Sequence, residues 1–212
     1  MEIQGAIFDI DGTIYDSMEI WRDLGERYLR HLGIEAGEEI SALFFNSSTR
    51  SAILAAKEKF SMNLTEAEIA SGLNNYLITR YLADSEPKEG VIELLEKMKN
   101  AGIKMCIATA TDKVAVSAAL RKYDMLKYFD EIFSVSTVGK SKAHPDIFRA
   151  AQAFMGTEKD KTWVFEDALY SAKTVKADGF PLVGVYDKSE EGRAELEKLA
   201  DVYIEKYEDL NL

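Results

Sequence analysis

Two aspartates near the start of the chain stand where chemistry is expected. They lie in Ile7-Phe8-Asp9-Ile10-Asp11-Gly12-Thr13, directly behind the apolar run Gly5-Ala6-Ile7-Phe8. A short apolar run opened by glycine reads as a buried strand, and a strand apolar on both faces suits the centre of a parallel sheet. Side chains alternate along a strand, so Asp9 and Asp11 share a face if the strand continues to them. Gly12 then ends it by permitting positive φ. Two carboxylates at the end of a central strand are unfavourable unless something neutralises them. A hard cation with oxygen ligands does so, and Mg2+ in particular keeps waters and shares substrate phosphate. The plainer alternative is a solvated turn, since Asp and Gly are ordinary turn residues. A calcium-binding EF-hand loop fits less well, because Ile20 falls where its bidentate Glu belongs.

Three further stretches carry suitable groups. Thr109-Ala110-Thr111-Asp112 follows an apolar run and precedes a helical pattern. A hydroxyl and free backbone N–H groups there can bind an anion, or Thr111 or Asp112 simply caps the helix. Gly139-Lys140-Ser141-Lys142-Ala143-His144-Pro145-Asp146 offers lysines in a loop. They either neutralise phosphate or stand in solvent. Trp163-Val164-Phe165-Glu166-Asp167 is an apolar strand ending in two adjacent acids, which mirrors the first motif. One of them can serve as a helix cap; a pair is harder to explain that way.

These stretches need elements to hold them together. From Asp16 to Leu32, Ile20, Leu24, Tyr28 and Leu32 recur at helical spacing, and Gly33 is a stop. Further helices are expected over 37–45, 48–60 and 65–82, the last opening with a Thr65-Glu66-Ala67-Glu68 capping box. No strand is expected between Asp16 and Glu86. From Pro87 onward the pattern alternates. Helices are expected over 87–101, 113–123, 145–155, 169–177 and 190–199, and strands over 104–109, 131–135, 162–166, 182–186 and 202–204. Such alternation implies an α/β fold with a doubly wound, Rossmann-like parallel sheet. Residues 1–15 and 87–212 form the core in this reading, and 16–86 an inserted all-helical cap. Ligands of such sheets bind outside the carboxyl ends of the strands, where all four stretches fall.

Composition narrows the function. The 212 residues are 47% hydrophobic, enough for a substantial core. A formal net charge of −11 argues against nucleic-acid binding, so a phosphate site must be built locally. The one cysteine, Cys106, lies in an apolar run and reads as a packing residue. With no pair for a disulfide, no basic apolar leader and no apolar run near 18 residues, a cytoplasmic protein without a membrane partner is expected. Nothing requires an oligomer, and a monomer is expected.

Taken together, the motifs resemble those of the haloacid dehalogenase superfamily of phosphotransferases. Phe8-Asp9-Ile10-Asp11-Gly12-Thr13 is similar to its first motif, Thr109 to the second, Lys142 to the third and Glu166-Asp167 to the fourth. The cap placement resembles the subgroup containing β-phosphoglucomutase and phosphoglycolate phosphatase. The resemblance implies that Asp9 is the nucleophile, giving an aspartyl-phosphate, and that Asp11 is the general acid and then the base. It implies Mg2+ held by Asp9, the Asp11 carbonyl, Glu166 and Asp167. Thr109 and Lys142 would bind phosphoryl oxygens, with Thr13, Ala110 and Thr111 beside them. In related sequences the phosphate lysine stands four residues before the Asp of a Pro-Asp pair. That count selects Lys142 over Lys140. There are departures: Ala143 replaces a usual Pro, and Glu166-Asp167 is followed by Ala168 instead of Ser.

The cap would choose the leaving group, with Trp21, Asn46, Ser47 and Arg50 as candidate contacts. Tyr170 is a further candidate, or a packed tyrosine. The mutases of the subgroup carry a cap histidine where Trp21 stands, and the phosphonatases need a cap lysine that is absent from Asp16 to Gly33. The resemblance therefore implies a Mg2+-dependent phosphatase for a small phosphorylated metabolite such as a sugar phosphate. A phosphomutase and a noncatalytic phosphate-binding protein are the alternatives.

Overall fold

The computed structural model describes residues 2–46 and 49–210, apart from the side chains of Glu38, Phe45 and Asn46. In chain order the elements open with β1 (Gly5–Phe8) and β2 (Tyr15–Asp16). Four helices follow: α1 (Met18–His31), α2 (Glu38–Asn46), α3 (Thr49–Lys59) and α4 (Glu66–Asp84). Then come β3 (Glu86–Pro87), α5 (Val91–Asn100), β4 (Lys104–Thr109), α6 (Lys113–Lys122), β5 (Glu131–Ser134), α7 (Val135–Val138) and α8 (Asp146–Met155). The chain closes with β6 (Thr162–Glu166), α9 (Leu169–Ala177), β7 (Leu182–Val185), α10 (Arg193–Leu199) and β8 (Val202–Ile204).

Six strands form one parallel sheet in the order β5-β4-β1-β6-β7-β8. The fold is the expected α/β, doubly wound one. Because β1 lies between β4 and β6, the chain leaves it first toward one edge and later toward the other. Its carboxyl end is therefore the switch point, where the flanking connections diverge and leave a crevice. All four residues of β1 are buried, and Phe8 stacks on Phe165 of β6 with centroids 4.2 Å apart. Ile7, Cys106, Val164 and Leu182 of the sheet pack against Ile147, Phe148 and Met155 of α8 and Val175 of α9. Cys106 is part of this core, and burial pushes its thiol up to about 12, which removes it as a nucleophile.

The chain divides into two compact units, residues 1–16 with 86–212 and residues 17–85. The second is made of α1–α4. Ile20, Leu24 and Tyr28 of α1 and Ile69, Leu73, Leu77 and Tyr81 of α4 are its buried rows, each at a spacing near four. The Tyr28 hydroxyl donates to the Ile69 carbonyl at 3.1 Å. The Thr65–Glu68 capping box starts α4, with Glu68 accepting from the Thr65 N–H at 2.7 Å.

The largest differences from expectation are at the starts of two helices, α5 and α10. Pro87 does not open a helix. It pairs with Tyr15 in the short antiparallel ribbon β2–β3, and α5 begins only at Val91, after Gly90 turns the chain at φ 79°. The last helix starts at Arg193, because Asp187 and Glu190 each accept backbone N–H bonds two residues ahead and hold 187–192 in turns. No helix of the described residues is long and apolar enough to cross a membrane.

Candidate active site

The carboxyl ends of β1, β4 and β6 bring the four motifs to one place. Asp9 follows β1, and its N–H donates to the Phe165 carbonyl at 3.0 Å, so the strand geometry persists to that carboxylate. Asp9 is 8% exposed. Glu166 and Asp167, from the end of β6, are buried beside it. One carboxylate oxygen from each of Asp9, Glu166 and Asp167 lies within 4.8 Å of the others.

Lys142, 2% exposed, reaches this cluster from the loop before α8. Its ammonium lies 2.7 Å from Asp9 Oδ1 and also forms an ion pair with Glu166 Oε1, an oxygen that has no hydrogen bond of good geometry. Lys140, two residues earlier, stays at the surface in an ion pair with Asp146 at 2.7 Å. The spacing that separates the two lysines thus corresponds to a buried and an exposed position.

Beyond Asp9 the chain turns sharply. Ile14 N–H and Tyr15 N–H both donate to the Ile10 carbonyl, at 2.9 and 3.0 Å. Gly12 has φ 80°, and a Cβ there would run into the Asp167 carboxylate. Glycine is thus required twice over, by backbone conformation and by the close approach of a site acid. Thr13 Oγ1 donates to Asp167 Oδ1 at 2.8 Å and so orients that carboxylate. Asp11 is half-buried and its carboxylate lies outside the trio; Oδ2 accepts from Thr111 Oγ1 at 2.6 Å.

Thr109, the last residue of β4, is buried, and its Oγ1 accepts from the Thr111 N–H at 3.0 Å. Asp112 is the cap of α6, accepting from the Val114 N–H at 2.8 Å. Ala110 is exposed at the turn between them. The acids after β6 are not helix caps. The N-cap of α9 is Ala168, whose own N–H donates to Glu166 Oε2 at 3.1 Å.

Burial dominates the electrostatics. It pushes the Asp9 carboxyl up to about 7, against the pull of the Lys142 ammonium and with help from the Glu166 and Asp11 charges. Asp167 is held well above the usual carboxylate range by burial and by Glu166 and Asp9. Burial works against the Lys142 charge, but Asp9 and Glu166 outweigh it and hold the ammonium above the ordinary lysine value. One ammonium thus faces three buried carboxylates. The surplus negative charge and the all-oxygen donor set fit a divalent cation.

Asp187 was not anticipated from the sequence. It follows β7, is buried, pairs with Lys88 at 3.1 Å, and adds to the negative field at Asp167. Its signal was present, because Val185-Tyr186-Asp187 repeats the pattern of an acid just past an apolar strand. Tyr207, also missed, is buried and donates its hydroxyl to the Thr13 carbonyl at 3.0 Å, bracing the first motif.

Trp21, Asn46, Arg50 and Tyr170 stand on α1, α2, α3 and α9 in turn. Trp21 is in α1, half-buried, with its indole N–H buried and without a partner among the described residues. Arg50 is exposed in α3 and pairs with Glu66 at 2.7 Å. Asn46 ends α2, but its side chain lies outside the described residues, as does all of Ser47. Tyr170, in the first turn of α9, is half-exposed; it stands within reach of the site's charges, and burial pushes its hydroxyl up against the pull of the Lys142 ammonium.

Known proteins resemble this chain along nearly its whole length. A phosphorylated carbohydrates phosphatase of Thermotoga maritima is 26% identical over 220 residues, spanning 99% of this chain and 98% of that protein. A β-phosphoglucomutase of Bacillus subtilis is 25% identical over 218 residues, spanning 99% and 92%. Among solved structures, CbbY of Rhodobacter sphaeroides in complex with phosphate superposes with a TM-score of 0.81 at 22% identity, over 99% of this chain and 96% of that one. The sequence profile of the haloacid dehalogenase-like hydrolases matches residues 6–185, which takes in every motif gathered at the switch point. The chain belongs to that family and is an enzyme of the haloacid dehalogenase-like hydrolase type.

Proposed function

We propose that the protein is a Mg2+-dependent phosphatase that hydrolyses a small phosphomonoester through a phosphorylated Asp9. The observation that carries this reading is the buried cluster of Asp9, Glu166 and Asp167 with Lys142 at 2.7 Å from Asp9. Asp9, Glu166, Asp167 and the Asp11 carbonyl are the groups that would hold Mg2+. Bound there, the cation offsets charge on the transferring phosphoryl group and on the nucleophile.

The residues then divide the work. An Asp9 oxygen attacks phosphorus and forms a P–O bond as the bond to the ester oxygen breaks. Asp11 gives its proton to the departing oxygen. Water next attacks phosphorus, Asp11 takes the proton from it, and the Asp9 carboxylate is released with inorganic phosphate. Lys142 and Thr109 donate to phosphoryl oxygens, with Thr13 and Ala110 around them. Buried donors fixed in advance are effective because they need no reorganisation during transfer.

The helical unit is assigned the choice of leaving group, with Trp21 and Arg50 as its candidate contacts. Sugar phosphates are the proposed substrate class, supported by the name of the Thermotoga maritima relative. We take the enzyme to act as a cytoplasmic monomer. Its net charge of −11 disfavours a nucleic-acid partner.

A phosphomutase is the second reading, favoured by the likeness to β-phosphoglucomutase over 99% of the chain. Trp21 in place of the histidine that the mutases carry supports hydrolysis. Product analysis with β-glucose 1-phosphate and catalytic glucose 1,6-bisphosphate separates the two, alongside a panel of other phosphomonoesters. Inorganic phosphate as the main product is expected. Glucose 6-phosphate formed much faster than phosphate would overturn the phosphatase reading. Asp9→Asn, which is nearly isosteric, should abolish turnover while the protein stays folded by circular dichroism.

A further inference from the structure

We infer that Thr111 is a positioning residue for the proton transfers of Asp11, and that its hydroxyl serves this purpose instead of binding phosphate. The inference rests on the proposed role of Asp11 as general acid. Thr111 stands two residues past β4 and is 2% exposed. Its Oγ1 donates to Asp11 Oδ2 at 2.6 Å. Its backbone N–H donates to Thr109 Oγ1 at 3.0 Å. One residue therefore orients two groups of the site, one through its side chain and one through its main chain.

The neighbouring residue explains why this hydroxyl is available. A threonine or aspartate just before a helix ordinarily caps it. Here Asp112 does so, accepting from the Val114 N–H, and the Thr111 hydroxyl turns back across the crevice to the loop after β1. The main-chain contact has a second effect. A threonine hydroxyl that accepts an N–H bond keeps its own proton to donate. Thr109 is thereby set to give that proton toward a phosphoryl oxygen. Asp11 is half-buried on the turn after β1, and the Thr111 hydroxyl is one of the groups that fix its carboxylate. General-acid transfer depends on the proton lying within hydrogen-bond reach of the departing oxygen, so a fixed rotamer raises the fraction of productive complexes.

Thr111→Val separates the two contacts. It keeps the volume, the β-branch and the backbone N–H, and removes only the bond to Asp11. The measurement is kcat/KM across a series of aryl and alkyl phosphates with leaving groups of rising pKa. This parameter reports phosphoryl transfer to Asp9, before water enters. Leaving groups that depart as stable anions need no proton; poor ones do. Thr111→Val should leave the best leaving groups within a few-fold of the parent enzyme. It should lower the poorest by about tenfold to a hundredfold, part of the 10²–10⁴ that general acid catalysis supplies. Thr111→Ser, which restores the hydroxyl, should return the shallow dependence. Asp11→Asn should steepen the dependence further. If Thr111→Val lowers every substrate by the same factor while Asp11→Asn is steep, the inference fails and the role of Asp11 stands. If Asp11→Asn itself parallels the parent enzyme, the assignment of Asp11 fails and the inference falls with it. Circular dichroism and thermal melting of each variant establish that the comparison is made on folded protein.

Discussion

Lys142 lies between Asp9 and Glu166 almost out of contact with water. Removing it takes away the donor nearest the nucleophile and leaves buried carboxylates facing one another. Lys142→Ala should lower kcat/KM by a factor corresponding to about 2–4 kcal/mol of transition-state stabilisation, as for loss of a preorganised charge-stabilising donor. Lys140→Ala should change kcat/KM less than about threefold, because an exposed ion pair such as Lys140–Asp146 contributes under about 1 kcal/mol. A larger loss from the Lys140 variant would move the phosphate lysine. At this scale the acids at the ends of β1 and β6 could be read from the sequence, since a pair of acids at the end of a buried strand has few plain explanations. Lys142 could be placed only by a resemblance, because nothing in a loop lysine's neighbours announces burial. Asp187 escaped because its motif is a single acid, and single acids at strand ends are common.

Gly12 belongs to the element scale, because it shapes the connection out of β1. Its φ of 80° and the nearness of Asp167 act together. Gly12→Ala should destabilise the fold by on the order of 1–2 kcal/mol through the left-handed backbone. It should also weaken Mg2+ binding, because Asp167 must move to admit the methyl group. Thermal melts in EDTA read the first effect and calorimetric titration of Mg2+ the second. Unchanged Mg2+ affinity would remove Asp167 from the metal-binding set. Elements bounded by clear apolar runs, such as β4, β6 and β8, were legible to the residue. The start of α5 was not. A proline ahead of an amphipathic run looks the same whether it opens a helix or ends an extended segment, and the pairing of Pro87 with Tyr15 decides between them only in three dimensions. Likewise α7, four residues beside a strand end, has too few residues to show a period.

For the molecule as a whole, the raised carboxyls tie stability to pH and to metal. Asp9 titrates near 7 in the folded core against an ordinary value of 3.8. Between those values the native state holds a proton that the unfolded chain has lost. The stabilisation is therefore complete below about pH 4 and drains away as pH rises to about 7. The raised Asp167 acts with the same sign. A divalent cation replaces those protons, and carboxylates must be ionised to bind it. In EDTA, the melting temperature should carry a component from these groups that falls from pH 5 to pH 8, and saturating Mg2+ should offset it. The gap between the two melting curves should widen as pH rises. A gap that stays constant with pH would show that Asp9 and Asp167 do not exchange protons for metal. The alternation of helix and strand made the doubly wound sheet legible at this scale, while the shared field of Asp9, Glu166, Asp167 and Asp187 depends on distances that no spacing along the chain reveals.

The ribbon formed by Tyr15–Asp16 and Glu86–Pro87 has a bearing on how such a chain can change over generations. The backbone departs from the core along one strand and returns along its antiparallel partner, so both ends of the intervening segment are already side by side. To the core, everything between them is a closed loop, and the entropy of closing a loop grows only with the logarithm of its length, about 0.6 kcal/mol per doubling. Exchanging residues 17–85 for a segment of another size or fold therefore perturbs the closure term little, while the carboxylates after β1 and β6 keep their own supports. On the proposed assignment of roles, phosphoryl chemistry and substrate preference can then diversify on separate stretches of one gene.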